Sequence, residues 1–237
     1  MWGTLFTGLA IHSNNEQTKK GDTMSVIESS STVERLEVPQ QNLKSVNVKI
    51  TGTSELIVHR FSEKALKMIE DIQAKKTKTR TKRKPEKEYE DCFYRWGEGN
   101  VNGWNYPDSW DGVSTGIPSI ALKKAMVTAV SQITGVTKVL ARQAFHIDGE
   151  VLKVENAEPY MRSDHVRIGI KQTDIRYRPS YPVGWTVDVP ITYDQDVISL
   201  DQIMNLLERA GFGVGLCEHR PEKDGSYGMF TLEKTVE

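Results

Sequence analysis

The sequence has little cysteine, no long apolar run and no metal-ligand spacing. Cys92 and Cys217 are the only cysteines among 237 residues, which excludes a disulfide framework and a cysteine-rich zinc site and fits a reducing cytoplasm. No stretch approaches the roughly 20 consecutive apolar residues that a membrane-spanning helix requires. The five histidines are not spaced as metal ligands. We therefore expect a cytoplasmic protein with no membrane partner, no metal and no other cofactor.

Net charge is almost absent as well. Thirty-one basic and 32 acidic side chains give a formal net charge of −1, so the whole-chain charge points to no particular partner. Hydrophobic residues make up 38% and charged residues 27% of the chain, which is typical of folded globular proteins. Any preference for a charged partner must come from how the charges are distributed.

The first 40 residues show no regular hydrophobic spacing beyond a short apolar start. Residues 1–10 are apolar, but no basic residue precedes them and no small-residue cleavage site follows, so a signal peptide is not indicated. Residues 11–35 are rich in Ser, Thr, Asn, Glu and Lys without periodicity, as in flexible segments. We expect residues 1–40 to be a flexible leader, with Met24 as an alternative start of the natural protein.

The rest of the chain alternates between strand and helix patterns. Alternating apolar residues predict strands at 45–52, 56–58, 144–147, 151–154, 166–170, 175–177, 185–193 and 228–232. Helical spacing predicts helices at about 62–75, at about 118–133 and from a capping box of Ser199 and Gln202 to Gly211. This order predicts an α+β fold with a ferredoxin-like or RRM-like antiparallel sheet and helices on one face. Residues 41–237 are expected to form one such domain, with a long insertion at about 75–115.

The strongest charge feature is a basic tract at the start of that insertion. Between Lys75 and Lys87 one acid, Glu86, stands against eight basic residues: Lys75, Lys76, Lys78, Arg80, Lys82, Arg83, Lys84 and Lys87. Clustered cations on an exposed segment bind phosphates by releasing counterions. Aromatic residues follow from Tyr89 to Trp110 and could stack on unpaired bases. The alternative is a solubilising loop followed by core aromatics.

A glycine-rich segment, Gly211–Phe230, is the second candidate site. Its glycines include Gly213 and Gly215, and its cationic or titratable residues are His219, Arg220 and Lys223. Glycines let a backbone approach a phosphate closely, and neighbouring cations attract it. The spacing matches neither a Walker loop nor a dinucleotide fingerprint. The alternative is an ordinary turn between the last helix and the last strand.

A third candidate is a run of basic residues on the predicted strands before Trp185. Its members are Arg162, His165, Arg167, Lys171, Arg176 and Arg178. Arg176 and Arg178 fall on one face of a strand, flanking Tyr177, and we expect Arg167 alongside them. Such a face suits the open side of an RRM-like sheet. A solvated strand face with Asp164 and Asp174 nearby is the alternative.

Catalytic residues are hardly indicated. His59 ends the first strand region, where a histidine could act as general base in RNA cleavage. Neither a carboxylate pair nor a nucleophile elbow accompanies it. A structural or surface role for His59 is therefore the main interpretation.

Three segments together resemble a known family. The start SVNVKITGTSELIVHRFSEKA, the helix opening GIPSIALKKAM and the ending LLERAGFGVGLCEHRPEKDGSYGMFTLE are similar to the RAMP superfamily, which includes backbone subunits of CRISPR effector complexes. The ending is similar to RAMP-like proteins of phages and prophages, which implies a bacterial host cytoplasm. The resemblance implies a ferredoxin-like core and a glycine-rich region at Gly211, Gly213, Gly215 and Arg220. It also implies a thumb-like or finger-like insertion at 75–115.

The leading hypothesis is a non-catalytic protein that binds single-stranded RNA or DNA and oligomerises head to tail along the strand. An interface that does not close on itself produces such filaments. The runner-up is a metal-independent endoribonuclease that uses His59. A third hypothesis is a phage protein that inhibits or joins a CRISPR-type effector complex.

Overall fold

Strands and helices follow one another as expected for an α+β protein. The computed structural model describes residues 38–61, 63–75, 82–97, 113–168 and 172–233. The elements are β1 (Leu43–Gly52), β2 (Leu56–Ile57), α1 (Glu63–Gln73), α2 (Pro85–Asp91), β3 (Tyr94–Gly97), β4 (Val113–Pro118), α3 (Ser119–Ala129), α4 (Lys138–Ala144), β5 (Phe145–Ile147), β6 (Val151–Lys153), β7 (Tyr160–Ile168), β8 (Gln172–Tyr181), β9 (Thr186–Asp194), α5 (Leu200–Gly213) and β10 (Phe230–Leu232). The described residues from Gln40 onward form one compact unit.

Four strands form the main sheet, in the order β10-β1-β9-β5. Every neighbouring pair in this sheet is antiparallel. α3 lies between β1 and β5 in the chain, and α5 lies between β9 and β10. Together they give the β-α-β-β-α-β arrangement of ferredoxin-like folds. The predicted fold class, an α+β protein with a ferredoxin-like antiparallel sheet, is confirmed.

The core lies between this sheet and its helices. Strand side chains alternate between two faces, and the inner face contains the buried residues Val48, Ile50, Val187, Val189 and Ile191. α3 and α5 cover it with buried residues such as Leu122, Met126, Leu206 and Leu207. Burying one such aliphatic side chain stabilises the fold by about 1.5–3 kcal/mol. The alternating pattern seen in the sequence therefore decides which face receives the helices.

The outer face of the sheet is polar. β1 presents Ser45, Asn47 and Lys49 there, and β9 presents Asp188 and Thr192. Neither of these fully described strands has an aromatic residue on this face. RRM domains bind RNA by stacking bases on such aromatics, so these two central strands offer no platform of that kind.

The β7–β8 hairpin belongs to a separate sheet. β8 pairs with β7 along its length and with β2 at Leu56 and Ile57, giving the order β2-β8-β7. The expectation that Arg176 and Arg178 lie on the open side of the ferredoxin-like sheet is therefore wrong. A strand pattern shows which residues share a face, but it does not show which strands pair.

The segment between β1 and α3 is largely structured where it is described. α2, β3 and β4 lie inside the predicted insertion at 75–115. Phe93 is buried, and its ring meets that of Tyr89 edge to face at 5.0 Å. Tyr94 is also largely buried, and this burial raises its pKa to about 12. The expectation that these aromatics stack on bases is wrong for Phe93, because it packs in the core.

The last helix begins as predicted and ends later than predicted. Ser199 and Gln202 form the predicted capping box, but α5 continues to Gly213 instead of stopping at Gly211. A Cβ atom at position 211 would lie 2.0 Å from the Phe230 carbonyl oxygen. Glycine is thus needed there because β10 passes close to the helix. Within the described ranges, no helix is both long and apolar enough to span a membrane.

Candidate nucleic-acid interface

The β7–β8 hairpin presents cationic side chains on two opposite faces. Asp164 pairs directly with Arg176, and Arg167 pairs with Thr173. Directly opposed residues share a face, and faces alternate along a strand. Arg176 and Arg178 therefore share a face, as predicted. Arg167 lies on the opposite face, so the expectation that it lies alongside them is wrong.

Arg178 belongs to a buried ion-pair network. Its side chain is 2% exposed, with Nη2 2.7 Å from Asp164 Oδ2 and Nη1 3.1 Å from Glu218 Oε2. Nη2 also lies 3.0 Å from Nε2 of His219. Burial raises the pKa of Asp164, but hydrogen bonds from Arg162 and Arg178 outweigh it and hold this pKa below its ordinary value. Arg178 thus joins the hairpin to the glycine-rich segment, and no phosphate is needed to explain its charge.

Arg162 extends the same network to the loop before β2. Its Nε donates to Asp164 Oδ1 at 2.6 Å and its Nη1 to Glu55 Oε2 at 3.2 Å. Nη2 donates to the Tyr227 hydroxyl at 3.0 Å, and the guanidinium lies 4.7 Å from the centre of that ring. Cation–π contacts and charge-assisted hydrogen bonds add stability where water is partly excluded. Arg162 therefore holds three chain segments together.

The basic tract is partly described. Lys75 is exposed and has a positive φ of 53°, two residues after the end of α1. Lys76, Lys78 and Arg80 lie outside the described residues. Its later members Lys82, Arg83, Lys84 and Lys87 are described and exposed.

Arg83 attaches the end of the tract to the hairpin. Its Nη1 lies 2.7 Å from Asp174 Oδ1, and its Nε lies 2.9 Å from Glu88 Oε2. Nη2 donates to the Ile175 carbonyl, and the guanidinium lies 5.6 Å from the centre of the Tyr177 ring. A planar guanidinium with these contacts fixes backbone position as well as charge. The lysines on either side of Arg83 are consequently held close to β8.

The tract and the hairpin meet in one cationic region. Asp174 accepts a hydrogen bond from Arg83, and its Oδ2 lies 3.3 Å from Nε of Arg176. On the neighbouring strand, Arg167 pairs with Thr173, the residue before Asp174. We call Lys82, Lys84, Arg167 and Tyr177 the hairpin surface; Arg167 and Tyr177 share one face of the hairpin, and Arg176 lies on the opposite face. Two of the three candidate groups are thus brought together, through contacts that join distant parts of the chain.

The glycines after α5 fold their loop onto itself. Gly215 has a φ of +71°, and a Cβ atom there would lie 2.6 Å from Pro221 Cδ. At Gly228, with φ +68°, it would lie 2.0 Å from the Leu216 carbonyl oxygen. Gly213 is the last residue of α5. The close contacts and positive φ angles at Gly215 and Gly228 account for glycine at these two positions; a role for Gly213 and Gly215 in binding nucleic acid stays a prediction.

Arg220, His219 and Lys223 differ in their contacts and exposure. Arg220 donates to Glu222 Oε2 from Nε and Nη2, at 2.9 and 2.7 Å, and to the Cys217 carbonyl at 2.9 Å. His219 and Lys223 are exposed. Arg220 therefore shapes the loop, while His219 and Lys223 remain on its surface.

His59 lies half-buried beside the ion-pair network. Burial is the main cause that lowers its pKa; the positive charges of Arg178 and Arg176 add to this, and Glu218 opposes it. The imidazole is thus neutral at pH 7. Within the described ranges, no three His, Cys, Asp or Glu side chains are grouped as a metal site.

The lowered pKa of His59 predicts that stability falls on mild acidification. Below about pH 6.5, the ordinary value, the unfolded chain binds a proton at His59 that the folded chain resists. The free energy of unfolding should therefore decrease from pH 7.5 to pH 5.5, and His59→Gln should reduce this decrease. Urea unfolding at both pH values measures the effect, with the exposed His146→Gln as control. An equal decrease in wild type and His59→Gln would contradict it.

Several contributors to this region were not singled out from the sequence. Glu55 and Glu88 anchor arginines, and Arg60 and Arg95 are 2% and 0% exposed. A buried arginine and an exposed one look alike in sequence, because burial depends on segments far apart in the chain. The only local signal was the acid at position 88, shortly after a proline that opens a helix.

Comparisons with known proteins yield a structural similarity and no family. No family model and no curated protein matches the chain. The fold is similar to that of Cmr6 from Pyrococcus furiosus, with a TM-score of 0.39 and 11% sequence identity over 81% of this chain and 98% of that chain. A TM-score of this size carries no functional argument. The resemblance to the RAMP superfamily therefore remains a prediction, and function is argued from the side chains.

Proposed function

We propose that this protein binds single-stranded nucleic acid, without catalysis, through the basic tract and the hairpin surface. The observation that supports this most is the attachment of Arg83 to Asp174 and the Tyr177 ring. It brings the described end of the tract, with Lys82, Arg83 and Lys84, against a partly exposed aromatic side chain. The cations of the tract would neutralise phosphates and release the counterions condensed on the strand, and a base could stack on Tyr177.

The proposal also covers how copies of the chain assemble and which partners they join. Copies of the chain would line up head to tail along the strand, each covering a few nucleotides, as a heterologous interface allows. The resemblance to the RAMP superfamily supports a role beside CRISPR-type effector subunits, in a phage or prophage context. His219 and Lys223 would add contacts if the strand continues past the glycine-rich segment.

The test removes four cations of the tract and spares Arg83. Lys78, Arg80, Lys82 and Lys84 are replaced by alanine, and affinity for labelled 30-nucleotide oligo(U) and oligo(dT) is measured by fluorescence anisotropy from 50 to 300 mM NaCl. Each phosphate contact on a single strand contributes about 0.7 to the slope of log K against log salt. We expect the slope to fall by about 3, to a similar degree for both oligonucleotides.

A matched control separates the tract from general loss of charge. The variant Lys44→Ala, Lys67→Ala, Lys124→Ala and Lys138→Ala removes four exposed cations elsewhere and should bind like wild type. An unchanged slope in the tract variant, or an equal loss in the control, would contradict the proposed role.

The endoribonuclease is the second candidate, favoured by one observation. His59 is neutral at pH 7 and lies close enough to Glu218 and Arg178 for their charges to act on its pKa, and a neutral histidine can accept a proton as a general base. Incubation with labelled structured RNA in EDTA distinguishes the two functions, and we expect intact RNA. Defined cleavage that disappears in His59→Ala would replace the non-catalytic proposal.

A further inference from the structure

A groove of about 530 Å³ lies on the outer face of the ferredoxin-like sheet. Its lining includes the apolar residues Val151 and Pro190 and the backbone around the buried Leu152. Four acidic residues also belong to the lining: Asp148, Glu150, Glu155 and Asp188. The groove combines apolar and acidic residues, which suits a segment with both aliphatic and cationic parts.

The negative charge of the groove is only weakly compensated. Lys153 is the one basic residue in the lining, 3.1 Å from Glu155. Lys49 is not part of the lining, but its Nζ lies 3.8 Å from Asp188 Oδ1. Both pairs are substantially exposed, and such pairs contribute about 0–1 kcal/mol. Phosphates would be repelled here, so the groove is not a second site for nucleic acid.

Charge is divided unequally between the tract and the rest of the chain. The tract from Lys75 to Lys87 has a formal charge of +7, so the remainder has a charge of −8 to give the net −1. Surfaces of opposite sign on one molecule attract each other between copies. The aliphatic stems of lysines from the tract of one copy could pack on the apolar residues of the groove of another, while their ammonium groups pair with its acidic residues.

We propose that, in the absence of nucleic acid, the basic tract of one copy lies in the acidic groove of a second copy, and that nucleic acid displaces it. The inference rests on the proposed function, because the same tract would bind either nucleic acid or the groove of a second copy. Because groove and tract are different surfaces, the contact is heterologous and repeats from copy to copy. Self-association and nucleic-acid binding then exclude each other at the tract.

The test uses two variants that each remove one side of the contact. The groove variant combines Asp148→Asn, Glu150→Gln and Asp188→Asn, which change charge and keep shape. The tract variant combines Lys78→Ala, Arg80→Ala, Lys82→Ala and Lys84→Ala. In sedimentation velocity at 50 mM NaCl, wild type should self-associate with increasing concentration and return to monomer at 500 mM.

Mixing the variants gives the decisive result. Each variant alone should remain monomeric at 50 mM NaCl, whereas the mixture should form a 1:1 heterodimer and no longer species. The heterodimer stops there because only one intact groove and one intact tract are present. A monomeric wild type at 50 mM, or a groove variant that still self-associates, would overturn the proposal.

Two further measurements separate this proposal from the proposed function. The control variant Glu70→Gln, Glu158→Gln and Asp224→Asn removes three exposed acids elsewhere and should self-associate like wild type. The groove variant should bind oligo(U) at least as tightly as wild type, since the competing occupant is gone; weaker binding would overturn the proposal. If wild type binds no nucleic acid but the variants still form the heterodimer, the proposed function and the displacement by nucleic acid fail, while the contact between tract and groove stands.

Discussion

Replacing Asp164 by alanine is expected to lower the free energy of unfolding by about 3 kcal/mol. Asp164 Oδ2 lies 2.7 Å from Nη2 of Arg178, whose side chain is 2% exposed. Removing one partner of a buried ion pair typically costs about 3–5 kcal/mol, because the remaining charge is left uncompensated. The lower end applies here, since Glu218 still contacts Arg178 at 3.1 Å.

A double-mutant cycle distinguishes this cause from a simple loss of contacts. If the penalty comes from the stranded guanidinium, Asp164→Ala combined with Arg178→Met should be more stable than Asp164→Ala alone. Urea unfolding at pH 7 measures all four proteins of the cycle: wild type, Asp164→Ala, Arg178→Met and the double variant. Asp188→Ala, which removes an exposed acid 3.8 Å from Lys49, serves as control and should change stability by less than about 1 kcal/mol. Additive effects in the cycle would contradict the explanation.

Replacing Trp185 by alanine should cost about 4 kcal/mol. The side chain is fully buried, and its Nε1 donates to the Ser54 carbonyl at 2.8 Å. The indole packs directly on Gly52, where a Cβ atom would lie 2.1 Å from the ring. The centre of the Phe230 ring lies 6.5 Å from the centre of the indole. Truncating a core tryptophan loses burial and leaves a cavity, for about 3–5 kcal/mol in all.

The conservative variant divides this cost into its parts. Trp185→Phe keeps most of the apolar volume but leaves the Ser54 carbonyl without its donor, so we expect a loss of about 2 kcal/mol. Thermal and urea unfolding of both variants provide the measurement. Equal destabilisation by alanine and phenylalanine would show that the cavity is not the main cause.

The same contacts explain why the candidate interface has its position. Trp185 ties the start of β9 to the loop before β2, and Arg162 and Arg178 tie that loop and the glycine-rich segment to the hairpin. The hairpin is thereby held while residues such as Arg167 and Thr173 remain exposed. Arginines that looked alike in sequence thus divide into internal supports, such as Arg178, and surface cations, such as Arg167.

Local patterns predicted much of the fold. The capping box at Ser199 was predicted because its hydrogen bonds join residues three apart. α4 was not predicted, because a seven-residue helix is too short to show a clear periodicity; its Thr137 cap, which accepts from the Leu140 amide, was recognised only in the structure. The sequence suggests that Gly211 ends the helix, but the helix continues past it. Glycine is required at this position because Phe230 of β10 passes close by, and that contact cannot be seen in the local sequence.

The α+β class, the inward faces of the strands and the concentration of positive charge in one tract could all be predicted from the amino-acid order. Each of these follows from residues close together in the chain, through side-chain alternation, helical spacing or exclusion of charge from a core. The burial of Arg178, the attachment of the tract to β8 by Arg83 and the groove shared by Asp148, Glu150 and Asp188 became visible in the folded chain alone. Those outcomes depend on strand pairing across long stretches of chain, and burial and ion pairing are set by what the pairing brings together.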